Sequence, residues 1–99
     1  MEAALTYENF TKNLNTEYQV DREGEQIRLV LIEISDLKKT ERQEEFSIVF
    51  QGPLGHLLPQ AIHQFRHSNM GDFPLFIVPI GKGEGGYRYE AVFNRLFQS

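Results

Sequence analysis

The chain has 99 residues, the size of one small domain with one modest core, and we treat residues 1–99 as a single domain. The absence of cysteine excludes disulfides, thiolate metal ligands and a thiol nucleophile. The net charge is −4 and the basic residues are scattered, which argues against a nucleic-acid partner because phosphate binding needs clustered lysine and arginine.

The N-terminal residues and the apolar runs bear on location. Met1–Leu5 lacks the basic and apolar regions of a signal peptide. No apolar run approaches the about 20 residues that a membrane helix needs. We therefore expect a cytoplasmic protein with no membrane partner, and the lack of cysteine agrees with this expectation.

The first predicted element is a short helix from Thr6 to Leu14. Thr6 is a suitable N-cap, and Glu8 is favourably placed in the first turn. Phe10 and Leu14 lie four residues apart and share a face of such a helix. Because a helix this short is marginal alone, we expect it to dock on one end or one face of a sheet.

Six later stretches have the alternation or the apolar character of β-strands. They are Glu17–Val20, Gln26–Ile34, Glu45–Gln51, Ala61–His67, Phe73–Ile80 and Tyr87–Arg95. The connections are mostly short and none contains a crossover helix, which favours antiparallel neighbours. The predicted fold is mainly β: a six-stranded antiparallel small barrel or sandwich with one short N-terminal helix.

Two of these strands have apolar residues on both faces. Phe73–Ile80 is apolar at every position, so we expect it in the middle of the structure with both faces covered. Its two prolines, Pro74 and Pro79, must lie near the strand ends, at a bulge, or facing a gap in pairing. The middle of Gln26–Ile34 is also two-sided, which predicts a strand that bends between two layers.

The stretch Ala61–His67 fits both an apolar helical stripe and one face of a strand. We predict a strand, because Pro59 precedes it and a polar turn with Gly71 follows it. In the loop before it, Leu57 and Leu58 are expected to plug a barrel end.

The charged stretch Asp36–Glu45 carries nearly balanced signs. A ligand-recruiting loop is one interpretation, and a solvated hairpin connection is the favoured one.

Several segments together carry a resemblance. They are Phe46-Ser47-x-x-Phe50-x-Gly52-Pro53, Leu58-Pro59-Gln60, His67, Leu75-Phe76-x-Val78-Pro79-Ile80-Gly81 and Tyr89-Glu90-Ala91-Val92-Phe93-Asn94, with a similar Phe10…Leu14…Tyr18…Val20 pattern before them. The chain resembles, over nearly its whole length, a family of short bacterial proteins known only as a domain of unknown function. The resemblance implies genes for phage-tail-collar-like proteins as neighbours, and thus a role in a tail-like or secreted assembly. It implies no catalytic residues, and Ala61-Ile62-His63 departs from the glycine followed by an aromatic residue or threonine of many relatives.

The motif Gly81-x-Gly83-x-x-Gly86 matches the spacing of the dinucleotide-binding fingerprint and follows the predicted strand Phe73–Ile80. That fingerprint must open a helix whose N-terminus holds the pyrophosphate. Here Tyr87–Phe93 alternates like a strand, so a glycine-rich hairpin turn is the prediction and no cofactor is expected.

His63 and His67 lie four residues apart, with His56 nearby. On a helix the first two would be neighbours able to share a metal ion. On a strand they are about 13 Å apart, too far for one ion. We therefore predict no metal site, and we expect His67 to anchor the turn at Ser68–Gly71.

Glu33 and Glu90 are the two carboxylates within apolar strands. One interpretation is an active-site carboxylate with a shifted pKa, or one paired with an arginine such as Arg28, Arg88 or Arg95. The other is a solvent-facing residue or a structural ion pair.

No serine has the context of an activated nucleophile. An enzyme would therefore need His63, His67 and Glu90, the weak polar-site candidates, to converge within hydrogen-bond reach. We identify no catalytic residue from the sequence.

The leading functional hypothesis is a non-catalytic protein-binding or assembly module. It depends on the excess of apolar strand faces and on a candidate interaction surface at Phe93, Leu96 and Phe97. The protein partner is unidentified, and a homo-oligomer is an open alternative. A small-molecule-binding barrel with aromatic residues at its mouth is the second hypothesis, and a small enzyme of unknown reaction is the third.

Overall fold

The structure is a computed structural model that describes residues 5–96. Its helix α1 spans Tyr7–Lys12, and the Thr6 hydroxyl accepts a hydrogen bond from the Asn9 N–H at 3.1 Å, as expected of an N-cap. The helix ends before the predicted Leu14, which is 37% exposed. It ends there because Asn15 adopts a left-handed φ of 64°, and its N–H leaves the helix to bond the Leu31 carbonyl at 2.7 Å.

Within the described residues, seven strands follow the helix in chain order. They are β1 (Glu17–Arg22), β2 (Glu25–Ile34), β3 (Lys38–Lys39), β4 (Gln43–Gly52), β5 (Ala61–His67), β6 (Gly71–Gly83) and β7 (Gly86–Leu96). Six of them close a barrel in the order β1-β2-β4-β7-β6-β5, with β5 returning to β1, and every pairing is antiparallel. The predicted antiparallel barrel with one short helix is confirmed.

The stretch Asp36–Glu45 forms a hairpin, as predicted. Strand β3 pairs with β4 through Lys38↔Glu45 and Lys39↔Glu44. It lies on the same edge of β4 as β2, which pairs further along that strand. Its lysines are exposed to solvent.

Strands β2 and β6 each bend from one neighbour to another. The first part of β2 pairs with β1 and its end pairs with β4, with a register shift between Leu31 and Glu33. The first part of β6 pairs with β5 and its second part with β7, with a register shift between Pro79 and Gly81. Pro79 therefore lies at a bulge, which is one of the predicted positions for a proline.

Inward-facing side chains of all six strands fill the barrel with one core. Its buried members on the strands are Tyr18, Val20, Ile27, Leu29, Leu31, Phe46, Ile48, Phe50, Phe65, Phe73, Leu75, Ile77, Tyr89 and Ala91. Aromatic rings contact one another across it: the Tyr18 and Phe50 centroids are 5.1 Å apart, and Phe65 stacks on Phe73 at 5.6 Å.

The prediction that both faces of Phe73–Ile80 are covered is wrong. Phe73, Leu75 and Ile77 are buried, but Phe76 is 47% exposed on the other face. Because β6 is one strand of the barrel wall, only its inner face contacts the core. The fully apolar stretch therefore leaves apolar side chains on the outside.

Each end of the barrel receives one fully buried apolar side chain from outside the strands. Phe10 of α1 enters one end, and Leu58 of the loop between β4 and β5 enters the other. Leu57, which was predicted to plug the end together with Leu58, is 54% exposed. Adjacent residues of an extended loop point in different directions, so only one of the two reaches the interior.

The glycine motif closes the hairpin between β6 and β7, as predicted, and a strand follows it. Gly86 has a φ of 143°, and a Cβ on it would overlap the carbonyl oxygen of Gly52 on β4. Glycine is required here by close backbone approach, which accounts for that part of the fingerprint-like spacing.

Candidate functional site

The structure separates the three weak polar-site candidates. His63 and His67 are buried on the inner side of β5, four residues and therefore about 13 Å apart along the strand. Glu90 is half-buried on the outer side of β7, between the inward-facing Tyr89 and Ala91. The three side chains do not form a common catalytic set.

His67 anchors the turn that follows β5, as predicted. Its Nδ1 accepts hydrogen bonds from the backbone N–H groups of Asn69 at 3.0 Å and Met70 at 3.2 Å. The proton therefore lies on Nε2, which donates to the Thr16 hydroxyl at 2.8 Å. That hydroxyl in turn donates to the Asn13 carbonyl at 2.6 Å, so one neutral imidazole joins the turn to the segment between α1 and β1.

The surroundings of His67 favour its neutral form. Burial lowers the pKa of His67, and the Tyr18 ring lies 4.2 Å from the imidazole. The Tyr18 hydroxyl donates to the Met70 sulfur at 3.3 Å, and burial raises the pKa of Tyr18 to about 12. This cluster is built to hold uncharged rings in place, and its hydrogen bonds are used within the fold.

His63 has the corresponding role at the opposite end of the barrel. Its Nε2 lies 2.9 Å from the Pro59 carbonyl oxygen and donates to it, which holds the loop that carries Leu58. Each histidine thus has its own backbone or hydroxyl partner. Residues 5–96 contain no group of three or more histidine, aspartate or glutamate side chains that could hold a metal ion.

Glu33 and Glu90 lie on the outer face of the barrel, on either side of Val49. Val49 of β4 is in register with Glu33 of β2 and with Glu90 of β7. Glu33 is exposed, and two of the three arginines proposed as partners have other contacts: Arg28 lies 3.4 Å from Glu17, and Arg95 donates to the Leu5 carbonyl at 3.4 Å. The geometry favours the interpretation of Glu33 as a solvent-facing residue, while Glu90 is half-buried and lines a surface cavity together with Lys38.

The described residues of the predicted interaction surface at Phe93, Leu96 and Phe97 lie in two different environments. Phe93 is half-buried, stacks on Phe46 at 4.7 Å and lies 5.3 Å from the Phe10 ring. Leu96 is 75% exposed, and Phe97 lies outside the described residues. Phe93 therefore lines the end of the barrel, while Leu96 belongs to the outer surface.

An exposed apolar region lies on the outer face of β5, β6 and β7, and of its members the sequence analysis identified only Leu96. Ile62, 69% exposed, is directly opposite Phe76, 47% exposed, on the neighbouring strand. Val92 of β7 is 61% exposed. We call Ile62, Phe76, Val92 and Leu96 the apolar outer face. The sequence signal was the two-sided apolar character of Phe73–Ile80, which was interpreted as burial.

A cavity of about 180 Å³ opens where the start of α1 meets the ends of β4 and β7. It is lined by Thr6, Tyr7, Glu44, Phe46, Phe93, Asn94 and Arg95. Sites for drug-sized ligands usually enclose about 300–1,000 Å³, so this cavity is small for the second hypothesis, a small-molecule binder. Two more open surface cavities reach that range: one of about 410 Å³ lies between β3, β4 and β7, and one of about 550 Å³ lies beside Thr16 and His67. The barrel interior itself is occupied by the core side chains.

These features define a small antiparallel β-barrel with structural histidines and an apolar outer face. Residues 5–96 contain no helix that is both long and apolar enough to span a membrane. The chain belongs to the family described as Domain of unknown function (DUF6916), whose model matches residues 5–93. Comparison of the chain with curated proteins and with solved structures found no match.

Proposed function

We propose that this protein is a non-catalytic assembly module that binds another protein through its apolar outer face. The observation that carries the proposal is the pair Ile62 and Phe76, two large apolar side chains that lie opposite each other and remain exposed. Contiguous apolar surface on a small protein usually marks a contact with a partner. A partner that covers this pair removes both side chains from water.

The surroundings of the pair support a protein partner. Further along the same two strands, the polar residues Gln64, Arg66 and Asp72 are exposed, and Arg66 lies opposite Asp72. An apolar centre with a polar border is the usual composition of a protein interface. The histidines of β5, by contrast, are engaged in holding the two barrel ends.

The class of partner is proposed from the family resemblance. The resemblance implies neighbours that are phage-tail-collar-like proteins, so we propose that the partner is a component of a tail-like or secreted assembly. The cytoplasmic location and the bacterial origin stay predictions from the sequence.

Copurification from the source cell tests the proposal. The tagged chain is compared with Phe76→Lys and Ile62→Lys, which place a charge at the centre of the pair. Gln26→Lys is the matched control, because it adds the same charge at an exposed position of β2. We expect a protein encoded beside this gene to copurify with the wild type and the control. The two face variants should capture at least about tenfold less of that protein than the wild type, because a central interface residue contributes about 2 kcal/mol or more to binding.

Light scattering of the purified chain gives the state of the protein alone. Circular dichroism checks that each variant keeps its strands, which exposed positions should allow. A strict monomer that captures no neighbour-encoded protein contradicts the proposal, and so does capture that both face variants leave unchanged.

A further inference from the structure

The wall of the barrel is split between β6 and β7. Within residues 5–96, the Gly71–Ile77 part of β6 has a ladder partner only in β5, and the Ala91–Leu96 part of β7 has one only in β4. The pair Val78↔Glu90 is the last one that joins the two strands. Beyond it, no pair joins the two strands, and each has an edge with a row of N–H and C=O groups that no ladder uses.

Helix α1 covers the inner side of this split with a side chain. The Phe10 ring lies 6.3 Å from the Phe73 ring on β6 and 5.3 Å from the Phe93 ring on β7. The ring excludes water from the core, but an aromatic side chain supplies no partner for the backbone groups of the two edges. The split is thus sealed by packing and not by hydrogen bonds.

Both strands beside the split expose apolar side chains on the outer face, with Asn94 between the two of β7 and Asp72 beside those of β6. Pro74 and Phe76 are exposed on β6, and Val92 and Leu96 are exposed on β7. Three of these four residues belong to the apolar outer face. The exposed apolar side chains and the unpaired strand edges therefore occupy the same place.

We propose that the split accepts one extended segment of a partner protein, which adds as a strand along the Ala91–Leu96 edge of β7. The inference rests on the proposed function and names how the partner binds. Backbone hydrogen bonds supply affinity in such a complex, and alternate side chains supply specificity. The segment carries apolar residues on both faces, because one face meets Phe10 and the other meets Phe76 and Val92.

The two edges differ, and the difference selects β7. Pro74 removes a backbone donor from the unpaired part of β6, whereas Ala91–Leu96 contains no proline. A second folded copy carries the same unpaired β7 edge, so a dimer in light scattering of the chain without peptide is the competing outcome and overturns the single-segment inference. A single extended segment pairs with the row of N–H and C=O groups that begins beyond Val78↔Glu90.

Amide hydrogen exchange with a synthetic peptide tests this inference. The probe is a peptide of alternating valine and isoleucine with a lysine at each end, so that both faces of the strand are apolar. The control peptide has proline at every second position. Only alternate amides of Ala91–Leu96 face away from β4, so we expect alternate amides to slow by at least about fivefold with the probe. The proline peptide gives no such pattern.

Two variants localise the effect. Val92→Lys places a charge on β7 beside the split and abolishes the slowed exchange of alternate amides, while Gln26→Lys on β2 leaves that slowing unchanged. Exchange that slows uniformly over the barrel, or no slowing at any concentration that keeps the peptide soluble, overturns the inference.

The result is separable from the proposed function. A partner captured through Ile62 and Phe76, together with an unprotected β7 edge, overturns the strand addition and leaves the assembly module standing. Alternate protection by the peptide without any captured protein supports the acceptor edge and contradicts the proposed partner.

Discussion

The two ends of the barrel are each closed by a buried apolar side chain, but different interactions hold the closing segment at each end. Each receives one fully buried apolar side chain, Phe10 at one end and Leu58 at the other. The Leu58 loop is hydrogen-bonded to the barrel: its N–H donates to the Tyr89 hydroxyl at 3.0 Å, and the Pro59 carbonyl accepts from His63 at 2.9 Å. Phe10 is instead held by contacts with other aromatic rings.

The difference shows which end has fewer hydrogen bonds between the closing segment and the barrel. At the Leu58 end, strand side chains satisfy the backbone of the loop, so opening that end would leave buried polar groups unpaired. At the α1 end, the polar cluster of Asn13, Thr16 and His67 fixes the chain after the helix, while the helix itself contributes one buried ring. The split beside β7 lies at this second end.

The largest expected effect follows from removing the ring at the α1 end. Phe10→Ala should lower the free energy of unfolding by about 3–5 kcal/mol, because the lost ring leaves a cavity among Phe46, Phe73 and Phe93. Urea unfolding at neutral pH measures it. Leu14→Ala, at a position 37% exposed, is the control and should change it by less than about 1 kcal/mol. A small change in Phe10→Ala would mean that α1 does not seal the barrel.

At the other end, the adjacent residues Leu57 and Leu58 form a natural pair. Leu58→Ala should lower the free energy of unfolding by about 2–4 kcal/mol, because its side chain is fully buried. Leu57→Ala should lower it by less than about 1 kcal/mol, because that side chain is 54% exposed. The same urea titration compares the two, and equal effects would contradict the assignment of Leu58 as the plug.

The hydrogen bonds of the loop end can be tested without removing a side chain from the core. Tyr89→Phe deletes the hydroxyl that accepts from the Leu58 N–H and donates to the His56 carbonyl at 3.3 Å. The buried N–H then has no acceptor, so the free energy of unfolding should fall by about 1–3 kcal/mol. Burial also raises the pKa of Tyr89, as expected of a phenol kept uncharged inside the barrel.

Tyr87→Phe is the control for that substitution, since Tyr87 lies on the same strand and is only half-buried. We expect its free energy of unfolding to stay within about 0.5 kcal/mol of the wild type. If both tyrosine variants lose the same amount, the loop end is held by packing alone and the contrast between the two ends disappears.

Much of the fold could be predicted from the sequence because alternation of apolar residues is a local property. The strand at Ala61–His67 was correctly chosen over a helix, because the flanking Pro59 and the polar turn bound a short segment. The N-cap at Thr6 and the bulge at Pro79 also follow from one residue and its neighbours. The role of His67 could be predicted because a turn follows it directly.

The apolar outer face could not be predicted in the same way. Alternation separates the two faces of Phe73–Ile80, but it does not reveal whether a second layer covers the outer one. The extent of the ladder between β6 and β7 depends on how the strands tilt around the barrel, which is a property of all six strands together. Leu57 and Leu58 show the same limit in a loop, where no periodicity distinguishes neighbours.

The smallest predicted effect concerns pH and the polar cluster of the α1 end. Burial lowers the pKa of His67 in the folded protein below the about 6.5 of an unfolded chain. Between these two pKa values the unfolded state binds more protons, so stability rises with pH. The contribution of His67 is therefore fully present above about pH 6.5 and is lost as the pH falls towards its folded pKa.

His67→Asn keeps an acceptor for the turn N–H groups but cannot titrate, so its unfolding free energy should depend less steeply on pH than that of the wild type between pH 7.5 and pH 5. At pH 7.5 the variant should be about 1 kcal/mol less stable, because the hydrogen bond to Thr16 is lost. Gln64→Asn is the matched control, since Gln64 is an exposed, non-titrating residue of the same strand and its variant should keep the wild-type slope. Parallel pH curves for His67→Asn and the wild type would show that protonation of His67 does not act on this end, and the weaker hold on α1 would then depend on its aromatic contacts alone.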